Sequence, residues 1–207
     1  MKAITLWPEW IWAILHLEKR VENRSWRPPR GFAGQRIALH AGMHIGGRAG
    51  RAATESGLQS VGAMAAREGW SSCVNMDRKY MLFSCAKSRQ IEMMFGGDDS
   101  VLVEPHKPLV KGAIVGSVVF DMLTVGDHPP WGVGGMYHWH LKDLIVFKDP
   151  IPAKGRQRLW NLSDEQEKVV CEEALKVFFD RPTYCSGGPV ECPKPLNVLS
   201  GTKIVVA

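Results

Sequence analysis

Gly112-Ala113-Ile114-Val115-Gly116-Ser117-Val118-Val119-Phe120 opens the strongest strand signal in the chain, which continues to Val125. Its β-branched residues suit a pleated, packed surface. Gly112 and Gly116 interrupt it, and glycine within a strand marks a bend or a close backbone approach, as at a barrel corner. Downstream, 127–135 reads as a loop holding His128, Pro129, Pro130 and Trp131. A second strand follows over 137–147, with apolar residues at Tyr137, Trp139 and Leu141 that switch parity to Leu144 and Val146. That switch predicts a β-bulge, and Pro150-Ile151-Pro152 ends the strand. Upstream, Ile37, Leu39 and Ala41 alternate with Ala38 and His40, the pattern of a half-buried strand. Lys2–Trp7 reads as another short strand. Pro8 fits a first helical position, and Trp10, Ile11, Ile14 and Leu15 recur at helical spacing over 8–18.

Ser163 and Gln166 form a capping box that predicts a helix over 163–180, with Val170, Ala174, Val177 and Phe178 on one face. Residues 42–110 differ in character and read as an insertion, with helices over 51–69 and 79–94 and loops over 69–75 and 96–108. A loop over 181–195 and a closing strand over 203–206 complete the reading. Short strands joined by Gly/Pro loops, with interspersed helices, predict an α+β fold: a small mixed β-barrel flanked by helices. The expectation is one domain over 1–207. Its barrel elements are about 1–41 and 111–162, its insertion is 42–110, and its C-terminal helix and tail are 163–207.

The chain has 207 residues, 45% hydrophobic and 23% charged, which excludes a wholly disordered protein. No apolar run reaches the ~18 residues of a membrane span. Trp10–Leu17 lacks a cationic leader and a small-residue cleavage site, so the expectation is a soluble cytoplasmic protein with no membrane partner. Five cysteines, at 73, 85, 171, 185 and 192, never form C-x-x-C. Reduced thiols are expected, with no metal and no cofactor.

The net charge is +5, unevenly spread. Within 19–51, Lys19, Arg20, Arg24, Arg27, Arg30, Arg36, Arg48 and Arg51 face a single acid, Glu22. Arginine favours planar, bidentate contact with phosphate or carboxylate. With Trp26 among them, phosphate contact and base stacking point to nucleic acid. The competing reading is a solvated basic face.

The densest chemistry is Leu17-Glu18-Lys19-Arg20-Val21-Glu22-Asn23-Arg24-Ser25-Trp26. If 19–26 is extended, Glu22 and Arg24 share a face and Lys19 takes the other. If the helix ends near Lys19, the turn can bring all three to one cleft. Spacing alone leaves open an exposed ion pair, which is worth little.

These residues resemble the ASCH domain family, a branch of the PUA-like barrels, especially its phage and prophage members. The family hallmark is Gly-x-Lys-x-x-Glu-x-Arg after the first helix; positions 17, 19, 22 and 24 read Leu, Lys, Glu and Arg. Ala3-Ile4-Thr5-Leu6-Trp7-Pro8, Asn23-Arg24-Ser25-Trp26-Arg27, Ile37-Ala38-Leu39-His40-Ala41 and Gly112-Ala113-Ile114-Val115-Gly116 are also similar to the family. So are Tyr137-His138-Trp139 and Pro150-Ile151-Pro152-Ala153-Lys154-Gly155 with Leu159-Trp160. The resemblance implies a β-barrel whose cleft beside the first helix binds RNA or a nucleotide-like ligand. Lys19, Glu22 and Arg24 would line that cleft, with Trp7, Ser25, Trp26 and His40 as neighbours. Some relatives remove the acetyl group from N4-acetylcytidine, using the hallmark Lys, with Thr where Glu22 stands here; others are ribonucleases. Leu17 in place of the hallmark glycine implies a reshaped turn.

Trp131 is read as a base-stacking or a packing residue, and Trp139 as packing. Arg27 and Arg30 would grip a phosphate or brace a turn, while His138 and His140 would face outward. The first function reading is therefore a module holding single-stranded RNA or a modified nucleotide, with DNA as an alternative ligand. The second is a metal-independent hydrolase with Lys19 and Glu22 catalytic. The third is a regulatory protein that docks a protein partner through 42–110 and 181–195.

Overall fold

The computed structural model describes residues 1–86, 89–95, 106–126 and 129–179. His128, Cys185, Cys192, the 181–195 loop and the expected strand at 203–206 lie outside them, as does the Phe178 side chain. Among the described residues, no helix is long and apolar enough to cross a membrane.

Six strands form one curled half-barrel sheet, so the chain has the mixed α+β architecture its sequence predicts. In chain order these are β1 (Lys2–Leu6), β2 (Val21–Arg24), β3 (Arg36–Ala41), β8 (Ala113–Val125), β9 (Tyr137–Pro152) and β10 (Leu159–Asn161). Their spatial order is β10-β1-β3-β8-β9-β2. Only β1 and β3 pair in parallel, with Thr5 opposite His40, and helix α1 (Pro8–His16) lies in the crossover between them. The other pairs are antiparallel.

The long β8–β9 pair is bent at the places the sequence marks. Register slips between Ile114 and Gly116, where a Cβ on Gly116 would lie 2.3 Å from the Ile145 carbonyl oxygen. Backbone therefore approaches backbone where only glycine fits. A second slip sets Ser117 opposite Ile145 and Val119 opposite Lys142, placing one extra residue on β9 beside Asp143, whose φ is +49°. This is the bulge behind the parity switch. Leu144 turns toward the Trp139 core, while Ile145 and Phe147 join the core on the opposite face.

Both faces of this sheet are covered, which corrects the half-buried reading of β3. Ile37, Leu39 and Ala41 pack with Ile11 and Ile14 of α1, whereas Ala38 packs beyond the sheet with Phe147, Trp160 and Val170. Val170 belongs to α3 (Asp164–Phe179), which begins as its capping box requires. The Ser163 N–H donates to Gln166 Oε1 at 3.1 Å and the Gln166 N–H donates to Ser163 Oγ at 3.2 Å. Ser163→Ala should cost about 1 kcal/mol, read as a lower urea midpoint at unchanged m-value.

Residues 42–110 hold helix α2 (Arg51–Arg67) and a second sheet of β4 (Trp70–Asn75), β5 (Tyr80–Cys85), β6 (Arg89–Met94) and β7 (His106–Pro108), in that order. The expected helix at 79–94 is instead an antiparallel β5–β6 pair, and the expected loop at 69–75 is β4. Helix-favouring Met, Leu, Gln and Glu misled the reading, because burial of Met81, Phe83 and Met93 against α2 overrides their propensity. Asn75 Oδ1 accepts the Arg78 N–H at 2.7 Å and Lys79 takes φ +54°, closing the β4–β5 turn. Helix α1 consequently buries two faces. Trp12, Ala13 and Leu17 join the core built by α2 and the second sheet.

Glu9 in the first turn of α1 is fully buried. Its Oε1 accepts the Gly46 N–H at 2.8 Å, while Oε2 has no partner. Burial pushes its carboxyl above the usual carboxylate range. A carboxyl raised on folding stabilises fully only in acid, and that stability is lost as pH climbs through the unfolded carboxylate range toward the raised folded value. Glu9→Gln keeps the Gly46 contact without the charge. It should therefore be more stable than wild type at pH 7, with the gap closing in acid, as followed by thermal melts across pH.

Candidate functional site

The end of α1 sets the site. Leu17 caps the helix at φ −106° and ψ 18°, buried in the α2-side core. The left-handed position falls one residue later, on Glu18 at φ +60°. Leu17 thus needs no glycine-like conformation, and Glu18 supplies the left-handed one that the turn uses. The Lys19 N–H returns to the Ala13 carbonyl at 3.2 Å, which folds the Lys19 side chain under β2.

There the three hallmark side chains meet. Lys19 Nζ donates to Glu22 Oε2 at 2.9 Å and also to the Val21 carbonyl. Arg24 Nε lies 3.2 Å from Glu22 Oε1 without hydrogen-bond alignment, and its Nη2 donates to the Thr5 carbonyl at 3.2 Å. The Lys19 side chain is 1% exposed, Glu22 12% and Arg24 21%. The exposed ion pair that spacing left open is therefore not what forms. Extended geometry puts Glu22 and Arg24 on one face of β2, and the helix-end turn delivers Lys19 to the same place. The Lys19 ammonium also lies 5.8 Å from the Trp10 ring centroid.

This chain of charges floors a cup of about 280 Å³, walled by Trp7, Trp10, Met64, Val133 and Met136. Asn23 fixes one wall. Its Nδ2 donates to the Trp131 carbonyl at 2.9 Å and its Oδ1 accepts the Val133 N–H at 2.9 Å. Trp7 is 47% exposed and lies against Gly47, where a Cβ would fall 2.4 Å from the indole nitrogen.

Other sequence candidates sit elsewhere. Trp131 is 3% exposed, packed in the α2-side core at φ +63°, and its N–H donates to Glu68 Oε1 at 2.9 Å. It braces the wall from behind and offers no face to the cleft. Ser25 and Arg30 are exposed outside both cleft linings, and Arg27 stacks its guanidinium 5.3 Å from the Tyr137 ring. Trp139 is fully buried, as expected of a packing residue. His138, expected to face outward, is fully buried and donates through Nε2 to the Val133 carbonyl at 2.8 Å. Its strand is covered on both faces, so alternation does not expose it.

A trough of about 1050 Å³ continues from the cup, sharing Thr5, Trp7 and Arg24 with it. Trp26 and His40 line it, together with Lys154, Arg156 and Arg158. Trp26 packs edge-on to Trp139 at 4.7 Å, with the Arg24 and Arg158 guanidiniums each 6.0 Å from its ring. His40 Nε2 donates to the Ala153 carbonyl at 2.9 Å, and burial pushes its pKa down, which favours the neutral ring with its proton on Nε2. The sequence reading missed Lys154, Arg156 and Arg158 as site residues. Their signal was three cations in five residues, around Gly155 and just before Trp160.

The chain thus presents an α+β half-barrel with a cationic cleft beside its first helix. No family model and no curated protein matches its sequence. Among solved structures it is similar to ASCH from Zymomonas mobilis, at 13% identity over 83% of this chain and 93% of that one, with a TM-score of 0.39. A mutant form of the same Zymomonas mobilis protein is similar at 14% identity over 83% and 96%, also with a TM-score of 0.39.

Proposed function

We propose that this protein is an ASCH-type module, of the phage and prophage kind, that holds single-stranded RNA or a modified nucleotide in the cup and trough. The observation carrying this reading is the Lys19–Glu22–Arg24 chain on the floor of a cleft whose open side is cationic. Lys19 and Arg24 would donate to a base carbonyl or a phosphate, and Glu22 would accept from a base amino group. Trp7 would stack a base, worth about 1–3 kcal/mol. The test is fluorescence anisotropy of a short labelled single-stranded RNA at two salt concentrations, with DNA of the same sequence in parallel. Wild type should bind with a clear salt dependence, and Trp7→Ala and Lys19→Ala should each weaken binding. Trp7 is half exposed, so its loss reports on binding even if Lys19→Ala disturbs the fold. No binding by wild type at low salt would sink this reading.

A second reading is a metal-independent hydrolase acting on RNA or a modified nucleoside. The buried ammonium–carboxylate pair at 2.9 Å favours it, because such a pair can polarise a carbonyl and transfer a proton. Turnover of RNA or N4-acetylcytidine that disappears in a folded Glu22→Gln variant is the expected result.

A further inference from the structure

Lys154, Arg156 and Arg158 are gathered along one side of the trough. All three are exposed, and among the described residues no carboxylate lies within ion-pair distance of any of them. The backbone here is also held in a costly shape: Arg158 sits at φ +59°, a left-handed conformation that non-glycine residues adopt at an energetic cost. Gly155 is pressed so closely on the His40 ring that a Cβ would fall 2.4 Å from Cε1. The loop is therefore drawn down onto β3, and its cations border the same trough as Arg24.

We infer that Lys154, Arg156 and Arg158, with Arg24, form a subsite for consecutive phosphates, so that the ligand of the cleft is a phosphodiester chain and not a free nucleoside. The inference rests on the nucleic-acid reading of the cup and adds what lies beside it. Cup and trough differ in size and chemistry. The cup, at about 280 Å³, is near the lower end of the roughly 300–1,000 Å³ typical of small-molecule sites. It suits one base or nucleoside against Trp7 and Glu22. The trough is larger, open and cationic, which suits a backbone. Arginine forks match phosphate oxygens bidentately. Arg24 belongs to both linings, so a strand entering the cup must run its adjoining phosphates along the trough.

The test compares wild type, Arg156→Gln/Arg158→Gln, and Arg78→Gln/Lys79→Gln for binding of a labelled ten-nucleotide RNA across a salt series. The last variant removes two exposed cations from the β4–β5 turn, far along the chain from the trough. Each phosphate contact on a single strand contributes about 0.7 to the slope of log affinity against log salt. Losing two should flatten the slope by about 1.4 and weaken binding about tenfold at low salt, with the control near wild type. If RNA binds and the two double variants behave alike, the subsite is overturned while the nucleic-acid reading stands. If wild type binds no RNA, inorganic tripolyphosphate separates the cases by thermal shift. Stabilisation of wild type that is absent in Arg156→Gln/Arg158→Gln keeps the phosphate subsite and discards the reading of the cup. No stabilisation of either protein discards both.

Discussion

Lys19→Met is expected to cost about 3–5 kcal/mol of folding stability, the range for breaking a buried ion pair from one side. The Lys19 side chain is 1% exposed, and its ammonium satisfies both Glu22 and the Val21 carbonyl. Removing it leaves the Glu22 carboxylate beneath the cleft with only the misaligned Arg24 nitrogen 3.2 Å away. At roughly 2–4 °C per kcal/mol for a chain of this size, the melting temperature should fall by roughly 6–20 °C. The Lys19→Met/Glu22→Gln double variant should recover much of the loss, because it leaves no lone charge behind. A Lys19→Met variant within about 0.5 kcal/mol of wild type would place the pair among exposed salt bridges. The burial described above would then be wrong.

Trp139→Ala should be comparably damaging, at about 3–5 kcal/mol. Trp139 is fully buried at the centre of the half-barrel, with Trp26 at 4.7 Å, Phe120 at 5.3 Å and Phe32 at 6.1 Å around it. Its removal would also release Trp26, which lines the trough, so near-ultraviolet circular dichroism should change along with stability. Trp139→Phe should cost much less. The indole Nε1 is buried without a partner, and phenylalanine removes that unsatisfied donor while keeping most of the ring contact. Denaturant unfolding of the two variants separates these outcomes: equal losses would mean that the site does not discriminate the ring from the cavity.

The parts of this fold legible in the sequence are those where a local rule and the tertiary structure agree. The Ser163–Gln166 box starts α3, Gly116 marks the close approach of β8 to β9, and the parity switch locates the bulge at Asp143. The β5–β6 pair was hidden because its residues favour helix and only their packing on α2 makes them strands. His138 was misplaced because alternation was read as one buried face where the sheet has two. In the site, Lys19, Glu22 and Arg24 were readable because they lie within six residues of one another. The trough was not. Lys154–Arg158 reaches Arg24 only after β9 and β10 return the chain to β1, a closure that no short window of sequence carries.

The charged floor of the cup and the Met64 part of its wall come from separate stretches of chain. Lys19 comes from the turn after α1 and Glu22 and Arg24 from β2, whereas Met64 comes from α2, and Met43, beside Gly112, lines the trough. Drift in 42–110 can therefore reshape what the cavity admits while the charged floor stays as it is. A lineage could change its preferred ligand by editing this flank alone, and two chains with identical hallmark residues need not share a ligand.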